Sequence, residues 1–165
     1  MASEVSSPQR ILGMWTGIEN MLIWIIAAHV TGNDPARFDL FMKFCADSVN
    51  SKDRVRMFRE VVEQKGLSGE VGEPVFTSLN RIIDVRNEVA HVTAVQVPST
   101  GETVWIKIRK GQPTQIPLSE LEAKVAGAEE ARQTILNAVS FAAAKVGYDL
   151  RSGGENLKGN EEVSG

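Results

Sequence analysis

Cysteine occurs once in the 165 residues, tyrosine once and histidine twice. A lone Cys45 can close no internal disulfide and supply no thiolate metal cluster, so a reducing cytoplasm is the expected compartment. It lies in the apolar helical run Leu40-Phe41-Met42-Lys43-Phe44-Cys45-Ala46 and is expected to pack rather than to act as a nucleophile. Positive charge is also short. With 18 Lys and Arg against 21 Asp and Glu the formal net charge is −3, which excludes a broad basic surface and makes any nucleic-acid contact a local one. Neither an internal repeat nor a glycine-rich phosphate loop is present. His29 has no cysteine or carboxylate at ligand spacing and reads as a helix-end residue, so no metal and no cofactor is expected.

Only one long apolar run exists, Ile11 to Val30, with Glu19 and Asn20 at its middle. A carboxylate there costs about 2.5–3.5 kcal/mol on insertion into a bilayer, so a soluble helix buried on most sides is expected and no membrane partner. A signal peptide is not expected either, because Met1-Ala2-Ser3-Glu4 lacks a basic cluster and no small-residue cleavage site follows. At 42% apolar and 24% charged residues the composition is that of one globular domain able to bury a real core.

The local signals predict a mostly α fold, a bundle of about five helices with a β-hairpin inserted before the last long helix. Ser7 as N-cap and Pro8 open a first helix over 8–30, ended by Thr31-Gly32-Asn33. Asp34-Pro35 repeats the start for a second helix to about residue 49, with Phe38, Phe41, Met42 and Cys45 on one face. Ser51 opens a third to Gln64, stopped by Gly66, with Val55, Phe58, Val61 and Val62 sharing a face. After the glycine-containing loop 66–72, Pro74 starts the fourth helix. Alternation in Thr93 to Val97 and Val104 to Lys110, around Pro98-Ser99-Thr100-Gly101-Glu102, predicts the hairpin over about 93–110. Ser119 with Glu122 matches a capping box for a last helix reaching about Val146. The domain is expected over residues 1–150, and the Gly, Ser, Asn and Glu rich segment 151–165 is expected to be disordered.

The fourth helix carries Arg86-Asn87-Glu88-Val89-Ala90-His91, where a cation, an amide, a carboxylate and an imidazole fall within one and a half turns. On a helical wheel Leu79, Ile82, Ile83, Val89 and Ala90 form an apolar face that includes Arg86. Asp84, Asn87 and His91 gather at its edge. Asn87 and His91, four apart, can meet; Arg86 and His91 are about 140° apart, so their convergence needs a long reach, a distorted helix end or a second copy of the chain. Two readings stay open. In one, Arg86 is structural, snorkelling or pairing with Glu19 or another carboxylate. In the other an anion belongs there, with Arg86 as the forked donor that suits a phosphate and His91 as a proton carrier near neutrality. Lys107, Arg109 and Lys110 on the hairpin are either a small RNA-contacting patch or a solvated strand end.

Arg86-Asn87 with His91 four residues beyond, late in a helix of a small helical protein, resembles the arginine-polar-to-histidine motif of HEPN domains, many of them ribonucleases of toxin–antitoxin and antiviral defence systems. The likeness spans roughly residues 8–147. It implies a homodimer whose two motifs line one cleft, RNA as substrate, and metal-independent attack of the ribose 2′-OH on the adjacent phosphate. By position, His91 would be the general base or acid, Arg86 would hold the phosphate, and Asn87 would orient His91 or the substrate. Asp84 and Glu88 fall outside the motif, which makes Glu88 an expected bystander. Val92 and Thr93 follow where one toxin subgroup carries a tyrosine, so its nucleotidyltransferase antitoxin is not implied, although another antitoxin or defence-system partner is. Two other classes remain: a catalytically silent HEPN nucleic-acid-binding or scaffold subunit, and a helical interaction module with Arg86 in a structural ion pair.

Overall fold

The computed structural model describes residues 7–109 and 111–148. Five α-helices and a three-stranded antiparallel sheet occur among them, in the order α1 (Ser7–Thr31), α2 (Pro35–Phe44), α3 (Ser51–Gln64), α4 (Glu73–Ala90), β1 (Val92–Gln96), β2 (Thr103–Arg109), β3 (Gln112–Ile116) and α5 (Leu118–Lys145). The mostly α bundle with a β insertion before the last long helix is therefore the architecture. Residues 149–165, with the tail from 151, and the side chain of Ser7 at the first cap, lie outside the described residues.

The α1 helix is the axis of the bundle and packs against each of the other four helices. Its apolar residues explain why: Ile11, Trp15, Ile18, Leu22 and Ile25 follow each other at spacings of four and three and are all essentially buried. Ile23, Ile26, Ala27 and Ala28 widen the stripe, so one helix can touch neighbours on several sides. By length and composition Arg10–Thr31 could cross a membrane, and 50% of that window is buried within the bundle. Glu19, the polar interruption, accepts a hydrogen bond from Ser51 Oγ at the start of α3.

Helix ends follow local chemistry in most places. Asp34 accepts the Arg37 N–H at 2.8 Å and Asn50 accepts that of Asp53 at 3.0 Å, each closing an exposed first turn. The second helix is shorter than its sequence implies. It stops at Phe44 and passes through a 3-10 turn, Ala46–Ser48, where Arg54 donates to the carbonyls of Ala46 and Val49 at 2.9 Å each. Cys45 becomes the C-cap and is exposed rather than packed, and Leu40 and Phe44 also face solvent. The last helix is capped by Pro117 with no side-chain cap bond, so Ser119 lies inside the first turn and the expected capping box does not form.

Between α3 and α4, Arg59 pairs with Glu73 and its guanidinium lies 4.2 Å from the Phe76 ring, while Phe58 meets Phe76 at 5.9 Å. The far end of α5 is fastened by Asn33 Nδ2 donating to the Val146 carbonyl at 2.8 Å, and by Tyr148 stacking on Phe38 at 5.8 Å.

The β insertion has one strand more than a hairpin. Gly101 (φ 71) turns β1 into β2, and Gly111 (φ 77) turns β2 into β3. Register aligns Val92 with Lys107 and Trp105 with Ile116, giving the order β1-β2-β3. The third strand, Gln-Pro-Thr-Gln-Ile, lacks apolar alternation and contains a proline, which is tolerated because β3 is an edge.

Candidate functional site

Arg86, Asn87 and His91 sit at the C-terminal end of α4, where the helix runs directly into β1. The apolar face is built by Leu79, Ile82, Ile83, Val85 and Val89, all buried; Ala90 is exposed, because the helix is leaving the bundle there. Arg86 is partly buried among them. Its Nη1 donates to Asn87 Oδ1 at 2.9 Å, and among the described residues no carboxylate is in ion-pair contact with it. Glu19, the partner considered from sequence, is engaged by Ser51 instead.

Asn87 thus orients Arg86, not His91. The four-residue Asn87–His91 contact allowed on an ideal helix is absent, because Asn87 turns its carbonyl back to the guanidinium. His91 is the C-cap residue (φ −104, ψ 9), its backbone N–H bonded to the Glu88 carbonyl at 3.2 Å. The imidazole is exposed, with no side-chain partner among the described residues. Within one chain, then, a guanidinium held by an amide and a free imidazole lie at one helix end without touching. Asp84 is exposed and joins neither.

Glu88 is the most connected member of the segment. Its two carboxylate oxygens receive Lys107 of β2 at 3.2 Å and Lys124 of α5 at 3.0 Å, and Lys124 also reaches Glu120 at 2.8 Å. Burial pushes the Glu88 carboxyl up, yet the hydrogen bonds from Lys124 and Lys107, with their charges, outweigh it and hold its pKa below the ordinary value. The Lys124 ammonium is raised, first by its bond to Glu120 and then by Glu88. Four charges of alternating sign cancel, so Lys107 and Lys124 hold the sheet to α4 and α5 and are not spare cations for a phosphate. Helix periodicity places Glu88 on the α4 surface, but only the fold brings two lysines from distant segments to it. Of the other basic residues on the strand, the side chain of Arg109 and all of Lys110 lie outside the described residues.

Elsewhere, an open groove of about 460 Å³ runs between α1 and α3, lined by Ile26, Val30, Met57 and Val61 with His29, Glu60 and Gln64 on its rim. His29 Nε2 and Gln64 Oε1 are 2.8 Å apart, so His29 joins α1 to α3 near its helix end. Among the described residues no group of three His, Cys, Asp or Glu side chains converges to hold a metal ion. Comparison with protein-family models, curated proteins and solved structures finds no match.

Proposed function

We propose that this chain is a metal-independent endoribonuclease of the HEPN type, cytoplasmic and acting as a homodimer, in a prokaryotic toxin–antitoxin or phage-defence setting. The observation that carries the reading is the partly buried Arg86 guanidinium, oriented by a neutral amide and unpaired with any carboxylate among the described residues. A desolvated cation without a counter-charge is costly, and an anionic ligand removes that cost. A phosphate suits it because the guanidinium fork matches phosphate oxygens.

In this reading the ribose 2′-oxygen attacks the adjacent phosphorus, the bond to the 5′-oxygen breaks, and a 2′,3′-cyclic phosphate and a 5′-hydroxyl result. Imidazole takes the 2′-OH proton and imidazolium returns one to the leaving 5′-oxygen, roles assigned to His91 from the two copies or to one His91 in turn. Arg86 meets the charge developing on the phosphoryl oxygens, and Asn87 keeps the fork aimed. Arg86 and His91 do not touch within one chain, and in this reading a two-fold partner brings a second copy of each to the same cleft.

That same separation favours a second reading, a catalytically silent HEPN subunit that binds nucleic acid through Arg86 alone. Purified protein incubated with RNA and a chelator distinguishes them. The enzyme leaves cyclic phosphate ends, and His91→Ala abolishes cleavage with little change in fold, since His91 is an exposed cap. RNA retention without turnover supports the silent subunit, and undiminished cleavage by His91→Ala removes His91 from the chemistry.

A further inference from the structure

We propose that Glu88 is a positioning residue of the same site: through Lys107 it fixes the backbone of His91, the last residue before the sheet. The role rests on the ribonuclease reading for its chemistry and on the ion pairs alone for its geometry. His91 is held by little of its own. Its imidazole is exposed and has no side-chain partner among the described residues, so backbone position and the side-chain torsions decide where the ring can reach. It is also the C-cap of α4, and helix ends fray. A proton carrier at such a place needs its backbone restrained from outside the helix, since a displacement of about 1 Å at a reacting group can cost about 10²-fold in rate.

The sheet supplies that restraint. No loop residue separates α4 from β1: Ala90 ends the helix, His91 caps it and Val92 begins the strand. The β1 strand is an edge, paired with β2 alone. In that pairing Val92 stands opposite Lys107, and Lys107 Nζ donates to Glu88 Oε1 at 3.2 Å. The backbone carbonyl of Glu88 accepts the His91 N–H, also at 3.2 Å. A closed circuit results, running from Glu88 through Lys107 and Val92 to His91 and back to Glu88. Among the described residues the Lys107 bond is the one side-chain hydrogen bond from sheet to helix, beside the apolar packing of Val92 and Trp105. Lys124 holds the second carboxylate oxygen at 3.0 Å from α5, so Glu88 is anchored and does not follow Lys107 when the strand shifts.

The same lysines settle how the site treats an anion. A bare carboxylate two residues from Arg86 would repel a phosphate, and Lys107 and Lys124 cancel that charge. Glutamine at position 88 therefore frees the strand from the helix and leaves Lys107 uncompensated, so turnover falls while phosphate binding does not weaken. A residue that served the fold alone would lower the amount of folded protein and leave His91 in the remaining molecules as it was.

The test pairs amide nitrogen relaxation with steady-state RNA cleavage in chelator, on the full chain and on Glu88→Gln, Lys107→Met and Lys107→Arg, with far-ultraviolet circular dichroism as the check on folding. Backbone order parameters at His91 and Val92 are expected at about 0.85 in wild type and below about 0.6 in Glu88→Gln and Lys107→Met, with the amides of α1 and α3 unchanged. Lys107→Arg keeps a cation opposite Glu88 and is expected to retain the wild-type values. Turnover should follow the same order, kcat falling about tenfold to a hundredfold in the two clamp-breaking variants with no rise in KM for RNA. Order parameters at His91 that stay at the wild-type value in both variants overturn the proposal, and so does undiminished kcat in a variant whose His91 has loosened. A wild-type chain that leaves RNA intact, while His91 still loosens in the variants, removes the ribonuclease reading and retains Glu88 as the restraint on His91. If Glu88→Gln loses helicity, Lys107→Met, altered on the strand and not on a helix, carries the measurement.

Discussion

Replacing Arg86 by Met separates a structural arginine from a phosphate-holding one, because the two roles predict opposite patterns of stability and activity. Methionine keeps an unbranched apolar stem and deletes the fork. The interaction removed is one hydrogen bond to a neutral amide, Arg86 Nη1 to Asn87 Oδ1 at 2.9 Å, worth about 0.5–1.5 kcal/mol net. Removing a partly buried, unpaired charge relieves a desolvation cost of similar size and opposite sign. The net change is expected within about 1 kcal/mol, and at about 2–4 °C per kcal/mol for a domain of this size the melting temperature moves by less than about 4 °C. Had Arg86 been paired with a buried carboxylate, the stranded anion would cost about 3–5 kcal/mol, a fall of about 10 °C. Cleavage is expected to drop about 10²–10³-fold, as when a donor to developing charge is deleted. Calorimetry and a chelator-containing RNA assay on the same preparation read both quantities. A fall of about 10 °C refutes the unpaired guanidinium, and unchanged cleavage refutes its role as the phosphate donor.

Glu88→Gln tests the ion network through pH. The carboxyl's folded pKa is depressed from 4.5, so its contribution is present above that value and lost as pH falls through the lower folded pKa. Because all three side chains remain a quarter to a third exposed, denaturation midpoints should place the variant about 1 kcal/mol below wild type at pH 7, with the gap closing toward pH 3. A gap independent of pH would show that the contacts matter by packing alone. Gly127→Ala probes the seat of Arg81 on α5, where a Cβ would lie 2.5 Å from Arg81 Nη2. Arg81 is exposed and its free end can swing aside, so the gain in helix propensity of about 0.8–1.0 kcal/mol should raise the melting temperature by about 2–3 °C. A lower melting temperature would identify that seat as a rigid contact between α4 and α5.

Local chemistry made much of the bundle legible. Asp34-Pro35, Ser51, Gly66 and Pro74 mark helix boundaries within a residue or so of where they fall, although the cap of the third helix is Asn50, one residue before Ser51, and the buried faces of α1, α3 and α4 repeat at helical spacing. Errors arose where a distant partner overrides a local preference. The run through Cys45 reads as continuous helix, but Arg54, eight residues beyond Ala46, holds a 3-10 turn there. Ser119 offers a cap that is not used, because Pro117 begins the helix as the chain leaves β3.

What the sequence determined by itself was the mostly α order, the β insertion before the last helix, and the crowding of Arg86, Asn87 and His91 into one helix end, all consequences of short-range periodicity and capping. Tertiary structure alone decided how those side chains are used. It sent Glu19 to Ser51 and left Arg86 to Asn87 without a carboxylate. It also made Glu88 the clamp between β2 and α5. An ion pair depends on which charges the fold brings within a few ångströms, and residues 88, 107 and 124 become neighbours only after the sheet and the last helix have closed against α4.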